Sequence, residues 1–435
     1  MAELFSSPWF PTAALIALAL VARKIRGSWL SPAAFVALIW AVYVGGCLLL
    51  TDYEVYSAGL WLIVLLIFSV QFGTVLSQGL GPNSNDPSEA ETHAVSTPLT
   101  WSDRSFTFSI LFTITAMAGS VYLLIFSLEK FSLGLSLVEV LSLGHLWSVA
   151  RYAGEVEPWP VRLTIMWVYP AVLLAGISFA TAHRRLLKYL SFAPLVPAAL
   201  IGTLFAVRAG LVFSAVCWLS GFFAVRYCES RGKYALFQKR LVVSMMALVV
   251  CAFAFFVAID TLRVFEGGED VTARIDAPRI YKYFFGAVPA FSSWFHSTHA
   301  PEAGLGAYTF AGAFDLLGIK QRQLGIYEGF STLSGGEETN IYTLFRSLIE
   351  DFTPAGACLF GVALGAAAGS AARPRSAVPA SAVLALAGCY ALILCSPLGS
   401  LFAYNGLILA WVVAIVVLGF RPHQRTFIAG APLVA

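Results

Sequence analysis

Charge is what this 435-residue chain has least of: Asp, Glu, Lys and Arg together make 12% of it, whereas 59% is hydrophobic. An ordinary soluble domain carries about twice that charged share. Also missing are a Walker-type phosphate loop, a Gly-x-Gly-x-x-Gly turn after a strand, an arginine ladder and a Cys-x-x-Cys pair. These absences argue against an ATPase, a nucleotide-dependent enzyme and a voltage sensor. No internal repeat is visible. Cys47, Cys217, Cys251, Cys358, Cys389 and Cys395 lie in apolar runs and Cys228 in a basic loop. No disulfide framework or cysteine metal site is therefore expected in the long polar loop described below. No cleavable signal peptide is expected either, because the first apolar run lacks a basic start and is followed by Arg23, Lys24 and Arg26.

What the chain has instead is a series of apolar runs, each long enough to span hydrocarbon as a helix. Short alternating segments of the kind that build membrane barrels are not seen. The expected fold is an all-α polytopic membrane protein with about eleven spans: 8–22, 31–51, 57–78, 105–127, 162–181, 188–206, 209–226, 241–261, 354–372, 378–397 and 400–420. The net charge of +3 decides little, but the placement of the cations decides more. Clusters at Arg23/Lys24/Arg26, Arg184/Arg185/Lys188, Arg226–Arg240, Arg373/Arg375 and Arg421/Arg425 fall on alternate loops, which sets that side in the cytoplasm. The N-terminus is then expected outside and the C-terminus inside. The chain divides into 1–261, with a polar cytoplasmic linker at 80–104 and an outer loop at 128–161; a large outer loop at 262–353; and 354–435. Within the 128–161 loop, residues 131–150 are moderately apolar but hold Glu139 and His145. They read as an interfacial or re-entrant helix, because a full span would invert every later loop.

Candidate chemistry gathers on the outer side. Arg208 stands in the turn Val207-Arg208-Ala209-Gly210, between two spans. It is either a snorkelling helix-end arginine or a phosphate clamp. Arg279 and Lys282 lie three apart, on one face if helical, with Tyr281 between them and an aromatic belt following. His296 and His299 form an HxxH pair without a third ligand in sight, so no metal is expected; a base, a hydrogen-bond donor or no role at all remain open. In the segment 337–352, apolar residues at 341, 344, 345, 348, 349 and 352 mark a helix with Asn340 as its N-cap. Thr343, Arg346 and Glu350 then share its polar face, as an anion site or as a plain i,i+4 ion pair. Asp351 lies just before Pro354 and the next span. Arg208, Arg279, Lys282 and Arg346 together suit a negatively charged lipid head group.

Three segments carry a family resemblance. YKYFFGAVPAFSSWF (281–295), GLGAYTF (304–310) and NIYTLFRSLIEDFTPAG (340–356) resemble the oligosaccharide repeat-unit polymerases, also called O-antigen polymerases. That family shows an aromatic-Gly-small-x-Pro-Ala-Phe segment, a Gly-x-x-Thr-Phe segment and an Asn-x-Tyr-Thr-x-Phe…Asp-Phe-Gly block. The turn FAVRAGL resembles a Ser-Arg-Gly turn shared with the O-antigen ligases. Two departures stand out: Thr353 replaces the glycine after Asp351-Phe352, and Val207 replaces the serine before Arg208. The resemblance covers most of 190–370; the N-terminal third matches in hydropathy alone.

The resemblance implies a metal-independent glycosyltransferase, without cofactor, of the bacterial inner membrane. Its substrates would be undecaprenyl-pyrophosphate-linked oligosaccharides. Membrane lipids, a chain-length regulator and a flippase are its implied partners, and nucleic acid is not among them. On this reading Arg208, Arg279 and Arg346 hold the pyrophosphate. Lys282, Tyr281, Asn340, Tyr342, Thr343 and His296 contact pyrophosphate or glycan, and the base is Asp351, Glu350 or His299. Alternatives from sequence are an O-antigen ligase, which the 340–352 block disfavours, and a lipid-linked glycan flippase. A flippase predicts mid-membrane polar residues and matched halves, which the chain lacks.

Overall fold

Helices that are apolar on every face have no solvent side, so they pack on one another and on lipid. A computed structural model describes residues 6–79, 101–205, 207–234, 236, 277–297, 304–320, 327, 330–334, 336, 338–375 and 378–419. The helices run α1 (Trp9–Arg26), α2 (Pro32–Leu50), α3 (Ser57–Gly79), α4 (Ser102–Lys130), α5 (Leu137–Tyr152), α6 (Trp159–Ile165), α7 (Val168–Thr181) and α8 (Arg185–Leu190). They continue with α9 (Leu195–Leu204), α10 (Arg208–Glu229), α11 (Ala277–Phe285), α12 (Ala287–Ser297), α13 (Ala311–Leu316), α14 (Leu344–Ala371), α15 (Ala380–Cys395) and α16 (Asn405–Gly419). Among the described residues the one sheet is an antiparallel ribbon of β1 (Ser331–Thr332) and β2 (Glu338–Thr339).

Seven segments among the described residues are long and apolar enough to cross a membrane: α2, α3, α4, α6–α7, α8–α9, α10 and α14. Many of their large apolar side chains face outward, including Leu49, Phe68, Ile114, Ile125 and Leu359. That is the surface of a multi-pass protein in lipid. The expected count of eleven is not reached, for physical reasons. α1 ends in Arg23, Lys24 and Arg26, and α15 and α16 have 16 and 15 residues. At about 1.5 Å per residue, helices of that length fall short of a hydrocarbon core about 30 Å thick. The 241–261 span lies outside the described residues, as does most of the 80–104 linker.

The 131–150 segment holds a 16-residue helix, α5, opened by a capping box between Ser136 and Glu139. Its buried Leu143 and Trp147 pack against Leu123, Leu128 and Phe205 at the ends of α4 and α9. It is not a full-length span.

The closest helix pair is α3 with α14. The two run parallel: Leu66 meets Gly361, Val70 meets Gly365 and Thr74 meets Gly369. The expected order of spans gives these two the same direction. Small residues permit the contact, as is common where helices meet in lipid. A Cβ on Gly365 would sit 1.9 Å from the Val70 carbonyl oxygen, and one on Gly73 2.0 Å from that of Val362. Polar ties add to it. Gln71 of α3 donates to the Ala33 carbonyl at 2.9 Å, and Trp40 of α2 donates to Ser396 at 2.9 Å.

α14 is two helices joined at a break. Thr353 has φ 64° and ψ 168°, and Pro354 follows. Proline accounts for the extended ψ of the residue before it. The positive φ belongs to a region that is essentially glycine-only and costs a β-branched residue about 1–3 kcal/mol.

Two stability tests follow from these contacts. Thr353→Gly relieves the strain but adds about 0.5–1 kcal/mol of unfolded-state entropy. A net gain of about 1 kcal/mol is expected, read as a higher Tm in detergent; an unchanged or lower Tm contradicts the strain. Gly365→Val is expected to lose about 1–3 kcal/mol by overpacking against Val70. The same melting experiment checks it.

Candidate functional site

Pro354 has no amide hydrogen, so the Glu350 carbonyl four residues earlier loses its helical donor. The break at Thr353 frees the Asp351 carbonyl as well. Buried carbonyls need partners, and the segment 304–309 supplies them. Gly304 N–H donates to Glu350 O at 2.8 Å and Leu305 N–H to Asp351 O at 3.2 Å. The Asp351 carboxylate, fully buried, completes the clamp by accepting from Tyr308 N–H at 3.1 Å and Thr309 N–H at 2.5 Å. Residue 304 must be glycine here, because a Cβ would lie 2.7 Å from Asp351 Oδ1. Leu305 and Gly306 turn the chain with φ of 50° and 95°. Further on, Ser400 donates to Thr309 O at 2.7 Å, and Asn405 donates to Asp315. The GLGAYTF segment is thus fastened to the head of α14 and the α15–α16 turn.

The helix begins at Leu344 with Thr343 as N-cap, which corrects the expected cap at Asn340. The reason is the ribbon. β2 runs to Thr339, Ile341 N–H bonds the Thr339 hydroxyl at 3.2 Å, and the Tyr342 hydroxyl pairs with Ser331 at 2.8 Å. The chain therefore stays extended until 343, and Asn340 is exposed.

One turn into α14 stands Arg346. Its Nε donates to Glu350 Oε1 at 3.0 Å, the i,i+4 pair expected from sequence, with the two side chains 14% and 13% exposed. Its guanidinium carbon lies 3.9 Å from the Tyr342 ring centre, 4.0 Å from that of Tyr327 and 5.1 Å from that of Trp294. Three aromatic walls and one carboxylate hold the cation. Among the described residues the guanidinium makes that single hydrogen bond, and its Nη edge makes none. The Tyr327 hydroxyl donates to Ser347 at 3.1 Å. Burial, with Glu350 alongside, pushes the Tyr327 phenol well above its usual range, so it stays protonated. Glu350 Oε2, which Tyr327 approaches, is buried and makes no hydrogen bond of good geometry.

Trp294 belongs to α12, which also carries His296. The imidazole stacks on Tyr56, with centres 4.2 Å apart and planes 5° from parallel. Tyr56 belongs to the 51–56 connection between α2 and α3, and Tyr53 of the same connection packs, as Tyr327 does, against the cluster of Ala290, Leu333 and Tyr342. Lys282 stands 5.8 Å from the Tyr283 ring on α11, and Tyr281 is half-buried on the same helix. The structure thus brings together Tyr342, Arg346 and Glu350, whereas His296 packs on Tyr56. The backbones of Arg208 and Arg279 open α10 and α11, but their side chains, like the whole of His299, lie outside the described structure. Thr343 is fully buried at the helix cap, its hydroxyl without a partner.

Sequence reasoning missed Trp294, Tyr327, Tyr53, Glu54 and Tyr56. The last three had a signal. The short loop Thr51-Asp-Tyr-Glu-Val-Tyr56 is acidic and aromatic, and the expected topology puts it on the same side as the 262–353 loop. No group of three or more metal-ligating side chains occurs among the described residues.

The fold defines an all-α, multi-pass membrane protein. Comparison with protein-family models, characterised proteins and solved structures finds no match.

The clamp has a direct test. In Asp351→Asn the amide oxygen can keep Thr309 N–H, but the NH2 in place of Oδ1 sets a donor against Tyr308 N–H and the charge is lost. A loss of about 1–3 kcal/mol is expected. Hydrogen exchange should speed up at residues 304–310 ahead of the rest of the protein; unchanged exchange there would show that Asp351 holds nothing.

Proposed function

We propose that the chain polymerises undecaprenyl-pyrophosphate-linked oligosaccharide repeat units at the periplasmic face of a bacterial inner membrane. The observation that carries this reading is Arg346: a cation fixed by one carboxylate and three aromatic rings, with the Nη edge of its guanidinium unbonded among the described residues. Such an edge matches two oxygens of a phosphate in a planar fork. Support also comes from the aromatic segment, whose Trp294 is one wall of this cation, and from the Gly-x-x-Thr-Phe segment, whose Tyr308 stacks on Tyr327, another wall.

In the proposed reaction the non-reducing-end hydroxyl of one glycan attacks the anomeric carbon of another. A new carbon–oxygen bond forms as the bond to the pyrophosphate oxygen breaks. The electron pair leaves with undecaprenyl pyrophosphate, and the hydroxyl proton passes to a base. Charge grows on the leaving pyrophosphate, and preorganised cations stabilise it where water is scarce. Arg346 takes that role, with Arg208 and Arg279 as further contacts. Glu350, whose Oε2 lacks a good hydrogen bond, and His299 are the candidate bases. Asp351, with its carboxylate engaged by backbone amides, acts by positioning the 304–310 segment.

Deletion of the gene in a host that makes a polymeric glycan is expected to collapse the lipopolysaccharide ladder to single-repeat bands. Loss of every glycan-bearing band would instead indicate a ligase. Arg346→Ala is expected to lower polymer yield by a factor of about one hundred or more, the effect of losing one charged donor to the leaving group. Arg346→Lys and Arg208→Lys should be impaired as well, because an ammonium cannot make the planar fork. A normal ladder from Arg346→Ala would remove the arginine from the mechanism.

A further inference from the structure

The connection between α2 and α3 has neither helix nor strand, yet it is pinned along its length. The Thr51 hydroxyl donates to Cys47 O at 2.7 Å, Glu54 N–H to the Ser334 hydroxyl at 2.9 Å, and Tyr56 N–H to the Ser292 hydroxyl at 3.2 Å. The last contact is reinforced by Gly59, where a Cβ would lie 2.8 Å from the Ser292 backbone. These ties present the Tyr56 ring flat against His296. Glu54 lies two residues before Tyr56, and its charge raises the Tyr56 phenol above its ordinary range. Glu54 and His296 are both exposed and Tyr56 is half-buried.

A stacked ring pair outside the core, on a loop already tied by its backbone, is a preformed flat surface near a carboxylate. Its chemistry is particular. A flat ring accepts the C–H face of a pyranose, while a carboxylate and an imidazole at its rim bond hydroxyl groups. Rigid aromatic side chains give such contact area at low entropic cost. The Glu54 carboxylate disfavours a phosphate at this place. The connection that carries Tyr56 also reaches the surroundings of the cation: Tyr53 packs, as Tyr327 does, on the cluster of Ala290, Leu333 and Tyr342, and Tyr327 and Tyr342 are walls of the Arg346 box.

We propose that Glu54, Tyr56 and His296 form a subsite for one uncharged pyranose ring of the glycan, beside the anion site at Arg346. The inference rests on the polymerase reading and adds to it the place where a sugar, rather than the pyrophosphate, is held. Tyr56 and His296 supply the stacking surface. Glu54 accepts from a sugar hydroxyl.

The test uses the full chain in nanodiscs and, as probe, the lipid-free repeat-unit oligosaccharide released from the native host's glycan by hydrolysis of its pyrophosphate. Saturation-transfer NMR and calorimetry read the binding. Wild type is expected to bind, with inorganic pyrophosphate failing to compete. Tyr56→Ala and His296→Ala are expected to weaken binding about fivefold to tenfold, the worth of one aromatic contact. Glu54→Gln, at an exposed position, guards against misfolding of the other two and should weaken binding while leaving the Tm unchanged. Wild-type affinity in all three variants overturns the proposal, as does displacement of the glycan by pyrophosphate. A wild-type chain that binds no lipid-free glycan overturns it too. The polymerase reading itself stands or falls on the deletion ladder, so the two failures are separable.

Discussion

A missing amide hydrogen organises the candidate site. Pro354 cannot donate to the Glu350 carbonyl, and Thr353, at φ 64°, breaks the register behind it. Each buried carbonyl left bare would cost about 1–3 kcal/mol. The chain meets that cost with Gly304 and Leu305, whose amides reach the two freed oxygens, and Asp351 fastens the next two amides. The break therefore does two things at once. It divides α14 in two at one definite point, and it fixes a loop far away in sequence against the turn that carries Arg346 and Glu350. Strain at Thr353 is the remaining cost of the arrangement.

Above the break, the environment of Arg346 is built to hold a cation without exhausting it. A guanidinium surrounded by carboxylates would be neutralised and closed. Here one carboxylate takes Nε, and aromatic faces take the rest at about 0.5–2 kcal/mol per ring. Such faces stabilise charge but make no hydrogen bonds, so the Nη donors are not consumed by the walls. The position of the tyrosines is set in turn by the small ribbon, through Ser331 and Tyr342, and by Ser347 beneath Tyr327. The parallel packing of α3 on α14 brings the 51–56 connection to the same end of the bundle, which is why Tyr53 and Tyr56 arrive at a site otherwise made from the second half of the chain.

Much of the architecture was legible in the sequence, because hydropathy acts locally: seven of the eleven expected spans fall on helices long and apolar enough to cross a membrane, three fall on the shorter or more charged α1, α15 and α16, and 241–261 lies outside the described residues. Their lengths were less legible. Where α15 stops at Cys395 is set with the turn at Ser396, whose partners Trp40 and Leu344 are distant in the chain. In the candidate site, the Arg346–Glu350 pair was readable from i,i+4 spacing. The role of Asp351 was not, since an aspartate before a proline looks the same whether it meets solvent or backbone amides. The cap was misread at Asn340 because the competing ribbon pairs residues on both sides of a turn. Tyr327 and Trp294 carried no signal of their own; they matter only because three separate segments converge on one guanidinium.

The most direct test of the central claim, that Arg346 receives a phosphorylated lipid head, is equilibrium binding of a short-chain polyprenyl pyrophosphate to the purified chain in nanodiscs. Saturable binding is expected, displaced by inorganic pyrophosphate and weakened at least about tenfold in Arg346→Ala, the loss of one charge-assisted contact. Equal affinity in the wild type and in a well-folded Arg346→Ala variant would contradict the claim.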